Sequence, residues 1–210
     1  MEALLLIDIQ NDFLKDGALE VPQGNAVIPI ANRLLSQFHH RFATQDWHPA
    51  NHGSFATEHP EHQLFEVIEF NGLPQVLWPK HCVQGSFGAE FHPDLHHESI
   101  DYVVQKGLDC TVDSYSGFFD NGGRNPSQLH DLLQQEQITT LYICGLATDY
   151  CVKFTVLDAL RLGYNVFLVV DGCRGVNQQL NDSADAIQEM ENAGAELIAS
   201  VDVPQFRDSP

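Results

Sequence analysis

Residues 140–154 read Thr-Leu-Tyr-Ile-Cys-Gly-Leu-Ala-Thr-Asp-Tyr-Cys-Val-Lys-Phe, and the hydrophobic period changes partway through. Residues 140–144 form a short apolar, β-rich run closed by Gly145, whereas from Asp149 to Leu162 apolar residues recur at helical spacing. The pattern predicts a buried strand, a turn and a helix, with Cys151 just inside the helix. Ala147 is small enough for close backbone approach, and Thr148 or Asp149 is a candidate cap. The unpaired N–H groups of a helix N-terminus favour a thiolate over a thiol and can hold an oxyanion. Cysteine is also among the most buried residue types, and Cys82, Cys110, Cys144 and Cys173 are read as core. Cys151 differs from them by its context, and it still needs a base and a cationic neighbour.

Working outward, residues 3–7 form a continuous apolar run ending at Asp8, the pattern of a strand buried on both faces. Residues 25–38 carry a helical pattern, with Asn25 as cap and Pro29 in the first turn. Further strands are expected at 41–45, 101–105, 165–170 and 196–199, the third of these, 165–170, ending at Asp171 and Gly172. Helices are expected at 126–137 and 182–193, the latter stopped by Gly194. Such alternation predicts a three-layer α/β/α domain with a mainly parallel central sheet, spanning 1–210 as a single domain. Residues 49–88 are rich in Pro, Gly, Asn and His, with brief β-like runs only at 64–70 and 75–78. This segment is expected to be an active-site cover, and 201–210 a loose tail.

A formal net charge of −19, with only 10 Lys and Arg, argues against a nucleic-acid partner. No apolar run approaches the roughly 20 residues that span a bilayer. Five cysteines without a paired CxxC motif, and an opening apolar run that lacks a basic start and is interrupted at Asp8, predict a reduced, cytoplasmic protein.

In a parallel sheet, ligands gather beyond the carboxyl ends of the strands. Asp8, Asp46 with His48, Lys106 and the Cys151 turn each follow a predicted strand, so the fold would bring them to one edge. Asp8, Lys106 and Cys151 then form a unit suited to amide cleavage through a thioester. The carboxylate takes the thiol proton and later gives it to the departing amine, while the ammonium keeps carboxylate and thiolate charged. Asp46 and His48, two apart on an extended chain, point the same way, and His81 from the long segment completes a set for Zn²⁺, Fe²⁺ or Mn²⁺. His52 is an additional candidate ligand; the other eight of the 11 histidines are read as surface residues. Phe13 and Trp78 are placed to stack on a flat heteroaromatic ligand.

These stretches together resemble the isochorismatase-like cysteine hydrolases, and within them the nicotinamidases. The resemblance is carried by Asp8-Ile-Gln-Asn-Asp-Phe13, Gln45-Asp-Trp-His-Pro-Ala-Asn-His52, Trp78-Pro-Lys-His-Cys-Val-Gln84 with Ala89-Glu-Phe-His-Pro93, Lys106-Gly107 with Asp113-Ser-Tyr-Ser116, and Gly145-Leu-Ala-Thr-Asp-Tyr-Cys-Val152. It implies deamidation of nicotinamide in NAD salvage, with pyrazinamide also accepted, and one divalent ion, Zn²⁺ ahead of Fe²⁺ or Mn²⁺. By position, Cys151 resembles the nucleophile, Asp8 the base and acid, Lys106 the charge that lowers the thiol's pKa, and Asp46, His48 and His81 the metal ligands. The backbone N–H groups of Ala147 and Cys151 resemble the oxyanion hole, beside a cis peptide between Leu146 and Ala147. Phe13 and Trp78, with Leu19 and Tyr115, resemble the ring-binding walls. A homo-oligomer is left open. Competing readings are a metal-independent hydrolase of another small amide or carbamoyl compound, and a catalytically silent metal- or ligand-binding domain.

Overall fold

The computed structural model describes residues 1–204. The first strand, β1 (Glu2–Ile7), has Ala3 to Ile7 almost wholly excluded from water, as a continuous apolar run requires when both faces are covered. It leads to helix α1 (Val27–Leu35), which buries Val27, Ile28, Ala31, Leu34 and Leu35, one stripe at helical spacing. Then follow β2 (Arg41–Asp46), the hairpin β3 (Val67–Phe70) and β4 (Leu73–Val76), β5 (Tyr102–Lys106), α2 (Leu129–Gln135) and β6 (Thr140–Leu146). A single π turn, Thr148–Val152, joins β6 to α3 (Lys153–Arg161). The chain continues with β7 (Asn165–Arg174), α4 (Asp182–Ala193) and β8 (Glu196–Ile198).

Six strands pair in the order β5-β2-β1-β6-β7-β8, every neighbour parallel. From β1 the chain works outward through β2 to β5, then returns to lay β6 on the other side of β1. Right-handed crossovers running in opposite directions from that point carry helices to opposite faces. The β1/β6 boundary is therefore the topological switch point, where an open α/β sheet leaves a crevice at its carboxyl edge. Gly145 is needed there: its φ is +129°, and a Cβ would lie 2.2 Å from the carbonyl oxygen of Ile7.

Several boundaries differ from the expectations. Asn25 does not cap α1; its Oδ1 accepts from the Lys15 N–H, and a short 3₁₀ turn, Gly24–Ala26, leads into the helix instead. The helix expected at 126–137 is confined to α2. β7 does not stop at Asp171–Gly172, because the sheet shifts register and re-pairs Gly145 with Cys173 and Leu146 with Arg174. The 49–88 segment has few regular elements, yet its backbone is well paired: Ala56 donates to Trp78, Trp78 to Ser54, and Phe65 to Leu77. Of the expected tail, Val203 is buried, and 205–210 lie outside the described residues. Among the described residues, no helix is long and apolar enough to cross a membrane.

Candidate active site

The carboxyl edge of the sheet collects the residues that the sequence placed after its strands. Asp8 follows β1 directly, with a φ of +47°, and has no exposure to solvent. Lys106 is the last residue of β5, two strands away, and its Nζ reaches back across the edge. It lies 3.0 Å from Asp8 Oδ2, 2.5 Å from Asp46 Oδ1 and 3.3 Å from Cys151 Sγ, and also donates to the Ser114 carbonyl at 2.9 Å. Ligand atoms of Asp8, Asp46 and Cys151 all lie within 4.8 Å of one another. Thr44 Oγ1 donates to Asp8 Oδ1 at 2.6 Å, and no hydrogen-bond donor among the described residues is aligned on Oδ2, the oxygen beside Lys106.

The electrostatics follow from burial. Lys106, set between two carboxylates, holds its proton far above the usual lysine range even though burial alone would strip it. Burial pushes the Asp8 carboxyl up, and Lys106 only partly offsets this. Burial would also raise Asp46, but Lys106 and His48 outweigh it and hold that carboxyl below the usual range. The Cys151 thiol is pushed well up, first by burial and then by the two carboxylates, against the pull of Lys106. The pull toward a thiolate expected of a helix N-terminus is outweighed here by burial. The helix proper begins at Lys153, so Cys151 sits in the π turn ahead of it, and one ammonium shared with two carboxylates does not offset desolvation. The thiol lies beside the carboxyl placed to take its proton.

That turn also changes the backbone donors. The Ala147 carbonyl accepts from the N–H groups of Tyr150 (3.0 Å) and Val152 (3.1 Å), stepping over Cys151. The Leu146–Ala147 peptide is cis, as the resemblance implied.

On the other side of Lys106, ligand atoms of Asp46, His48 and His81 lie within 4.8 Å of one another, all three residues buried. His48 Nδ1 is 3.0 Å from the Gly107 carbonyl and His81 Nδ1 is 2.7 Å from that of Pro79, so both rings donate through Nδ1 and turn Nε2 toward Asp46 Oδ2. Burial, reinforced by neighbouring His48, pulls His81 down to about 4 and keeps its imidazole neutral, as a ligand must be. Gly107 makes the His48 contact possible: its φ is +68°, and a Cβ would lie 2.4 Å from the imidazole Cε1. The residues present fit a divalent ion. His52 is fully buried with Nε2 unpartnered among the described residues, but its close grouping is with His48 and Asp113 rather than with Asp46 and His81. None of the eight histidines read as surface residues is buried.

Between the two groups opens a pocket. Phe13, Leu19, Trp78 and Tyr115, the four ring-wall candidates, all line it, together with Ala147, Cys151 and the ligand set. Trp78 Nε1 donates to the Tyr115 hydroxyl at 3.1 Å, fixing the indole in the pocket wall. The Isochorismatase domain family matches residues 2–202 of this chain. The chain belongs to the isochorismatase family.

Within it, the chain is 54% identical over 204 residues to the nicotinamidase of Escherichia coli (strain K12), covering 95% of each protein. It superposes on the Acinetobacter baumanii nicotinamidase pyrazinamidease with a TM-score of 0.92 at 42% identity, covering 97% of this chain and 98% of that one. The pyrazinamidase of Pyrococcus horikoshii, solved in complex with zinc, matches with a TM-score of 0.77 at 35% identity, over 94% of this chain and 98% of that one. On this isochorismatase fold, sequence reasoning missed some of the site. Thr44 orients Asp8, and Gln10 grips the Asp46 backbone from both sides, accepting from its N–H and donating to its carbonyl, each at 2.8 Å. Asp113, Tyr150 and Val176 complete the pocket. Tyr150 adjoins the cysteine and Gln10 follows Asp8 by two, so spacing carried a signal for both; Val176 gave none.

Proposed function

We propose that this isochorismatase-family hydrolase is a nicotinamidase that converts nicotinamide to nicotinate and ammonia through a thioester on Cys151. One observation carries the reading: Cys151 of the Asp8–Lys106–Cys151 cluster and the Asp46–His48–His81 set line one aromatic pocket, with the Lys106 ammonium shared between the two groups. The names of the relatives point to the same substrate class, pyrazinamide included.

Asp8 Oδ2 accepts the thiol proton as Cys151 Sγ attacks the carboxamide carbon, and Lys106 stabilises the charge that moves between sulfur and carboxylate. The N–H groups of Ala147 and Cys151 receive the developing oxyanion. The C–N bond then breaks, and the proton held on Asp8 goes to the amide nitrogen, which leaves as ammonia. In the second half Asp8 takes a proton from water, whose oxygen adds to the thioester carbon. The C–S bond breaks, and the proton returns to sulfur. Asp46, His48 and His81 would hold a divalent ion, Zn²⁺ first, whose chemistry is to bind the ring nitrogen as a Lewis acid. Phe13 and Trp78 orient the ring. Five free cysteines suit a reducing compartment. The metal-independent alternative leaves the two Nδ1-anchored histidines without a role.

The direct test is ammonia release from nicotinamide, pyrazinamide and an aliphatic amide on protein of measured metal content. Turnover of the ring amides at least about 100-fold faster than the aliphatic one is expected, because a site built for a ring wastes its binding energy on a chain. No ammonia from nicotinamide at full metal occupancy overturns the reading.

A further inference from the structure

Asp149 lies two residues before Cys151, buried, with 6% of its surface exposed. It was a candidate helix cap, but no side-chain cap bond is made at the π turn. Its carboxylate points across to the segment after β7, accepting from the Val176 N–H through Oδ1 at 2.9 Å and from the Asn177 N–H through Oδ2 at 2.7 Å. The sheet gives that segment no other hold, because pairing with β6 ends at Arg174. Asn177 stands at a φ of +52°, and its Oδ1 accepts from the Ser183 N–H in the first turn of α4. At Gly175 a Cβ would lie 1.9 Å from Ser183 Oγ and 3.0 Å from Asp149 Oδ1, so the segment has no slack. The residue held this way, Val176, lines the pocket with Phe13, Leu19 and Cys151.

We propose that Asp149 is a positioning residue that fixes the height of Val176 above the thiol, and that this clamp sets how large a heteroaromatic carboxamide the site admits. The inference rests on the nicotinamidase reading and deepens it. The turn that presents the nucleophile also dictates, through one carboxylate, where the opposing wall stands. Nucleophile and wall therefore move together, and a ring bearing an added methyl group on the Val176 side is excluded by a wall that cannot retreat.

The test compares kcat/KM for nicotinamide with a panel of ring-methylated nicotinamides. Val176→Ala is expected to raise the ratio for at least one methylated substrate by about tenfold, the scale on which a pocket senses one methyl group. Asp149→Ala should raise the ratio for the same substrate, with KM for nicotinamide rising more than kcat falls. Asp149→Asn, which keeps one acceptor oxygen, should lie between. The double variant Asp149→Ala with Val176→Ala should show no further gain over Val176→Ala, since both act on one wall. An Asp149 that merely supports the turn would lower kcat or thermal stability and leave the ratio at its wild-type value in both Asp149 variants. That result, in protein whose wild type is active, overturns the inference alone. Absence of nicotinamide turnover in the wild type overturns the functional reading and this inference with it. If Asp149→Ala fails to fold, Asp149→Asn and Val176→Ala decide the question.

Discussion

Asp8 and Asp46 end or follow adjacent parallel strands, are both shut away from solvent, and both touch the same ammonium, yet their carboxyls are shifted in opposite directions. On the Asp46 side, Lys106 is joined by two imidazoles, and the carboxyl is held below its usual range. On the Asp8 side the second neighbour is a thiol and the only aligned donor among the described residues is Thr44, so burial wins and the carboxyl is pushed up. The difference shows how one lysine serves two purposes: a carboxylate ringed by cationic or metal-binding groups stays charged and binds, while its neighbour gains and loses a proton. Partners rather than depth decide the role.

The sharpest way to break this contrast is to remove sulfur from the Asp8 side. Cys151→Ala is expected to cut ammonia release by about 10⁴-fold or more with metal content unchanged, because the nucleophile has no substitute. Cys144→Ala, which removes a deeply buried thiol remote from Lys106, should retain turnover; equal losses in the two variants would refute the division of labour. A smaller effect is expected on the other side. Asp46→Ala should fall from about one bound ion per chain to nearly none and lose about 100-fold or more in turnover, read by elemental analysis and ammonia assay. Retention of the ion would show that His48, His52 and Asp113 hold it instead.

The smallest effect, on the order of 1 kcal/mol, is in stability against pH, measured by urea unfolding of metal-stripped protein. Asp46 ionises in the fold below the range of an unfolded aspartate, near 4. Its stabilisation relative to Asp46→Asn is therefore complete above about pH 4 and lost as pH falls. Asp8 ionises in the fold above that range. Relative to Asp8→Asn, the wild type should therefore be favoured below about pH 4 and lose that advantage as pH rises through the Asp8 value. Slopes of the same sign would mean that the two carboxylates are not distinguished by their partners.

The parallel sheet was legible because β1 and β6 are continuous apolar runs, and because Asp8, Asp46 and Lys106 punctuate their strands. A strand-end rule needs only the order of elements, so the convergence of these residues could be read before any distance was known. What escaped is what depends on register or on hydrogen bonds over long separations. The extension of β7 comes from a register shift opposite Ile143 and Gly145, which no local pattern announces. The upward shift of the Cys151 thiol comes first from burial and then from two carboxylates on other strands, at a π turn where a regular helix start was expected. Asp149 looked like a cap because its sequence neighbours allow one, while its partners lie 27 and 28 residues downstream.

Gly107 carries a final consequence. It follows the lysine that serves the sulfur, and its carbonyl accepts the proton of the imidazole that would serve the ion. A methyl group at that α-carbon would shove the His48 ring aside and twist the chain just after Lys106. The smallest possible side-chain addition would thus unseat both chemistries at once, although glycine itself touches no substrate: the alignment of this site hangs on a position where nothing projects.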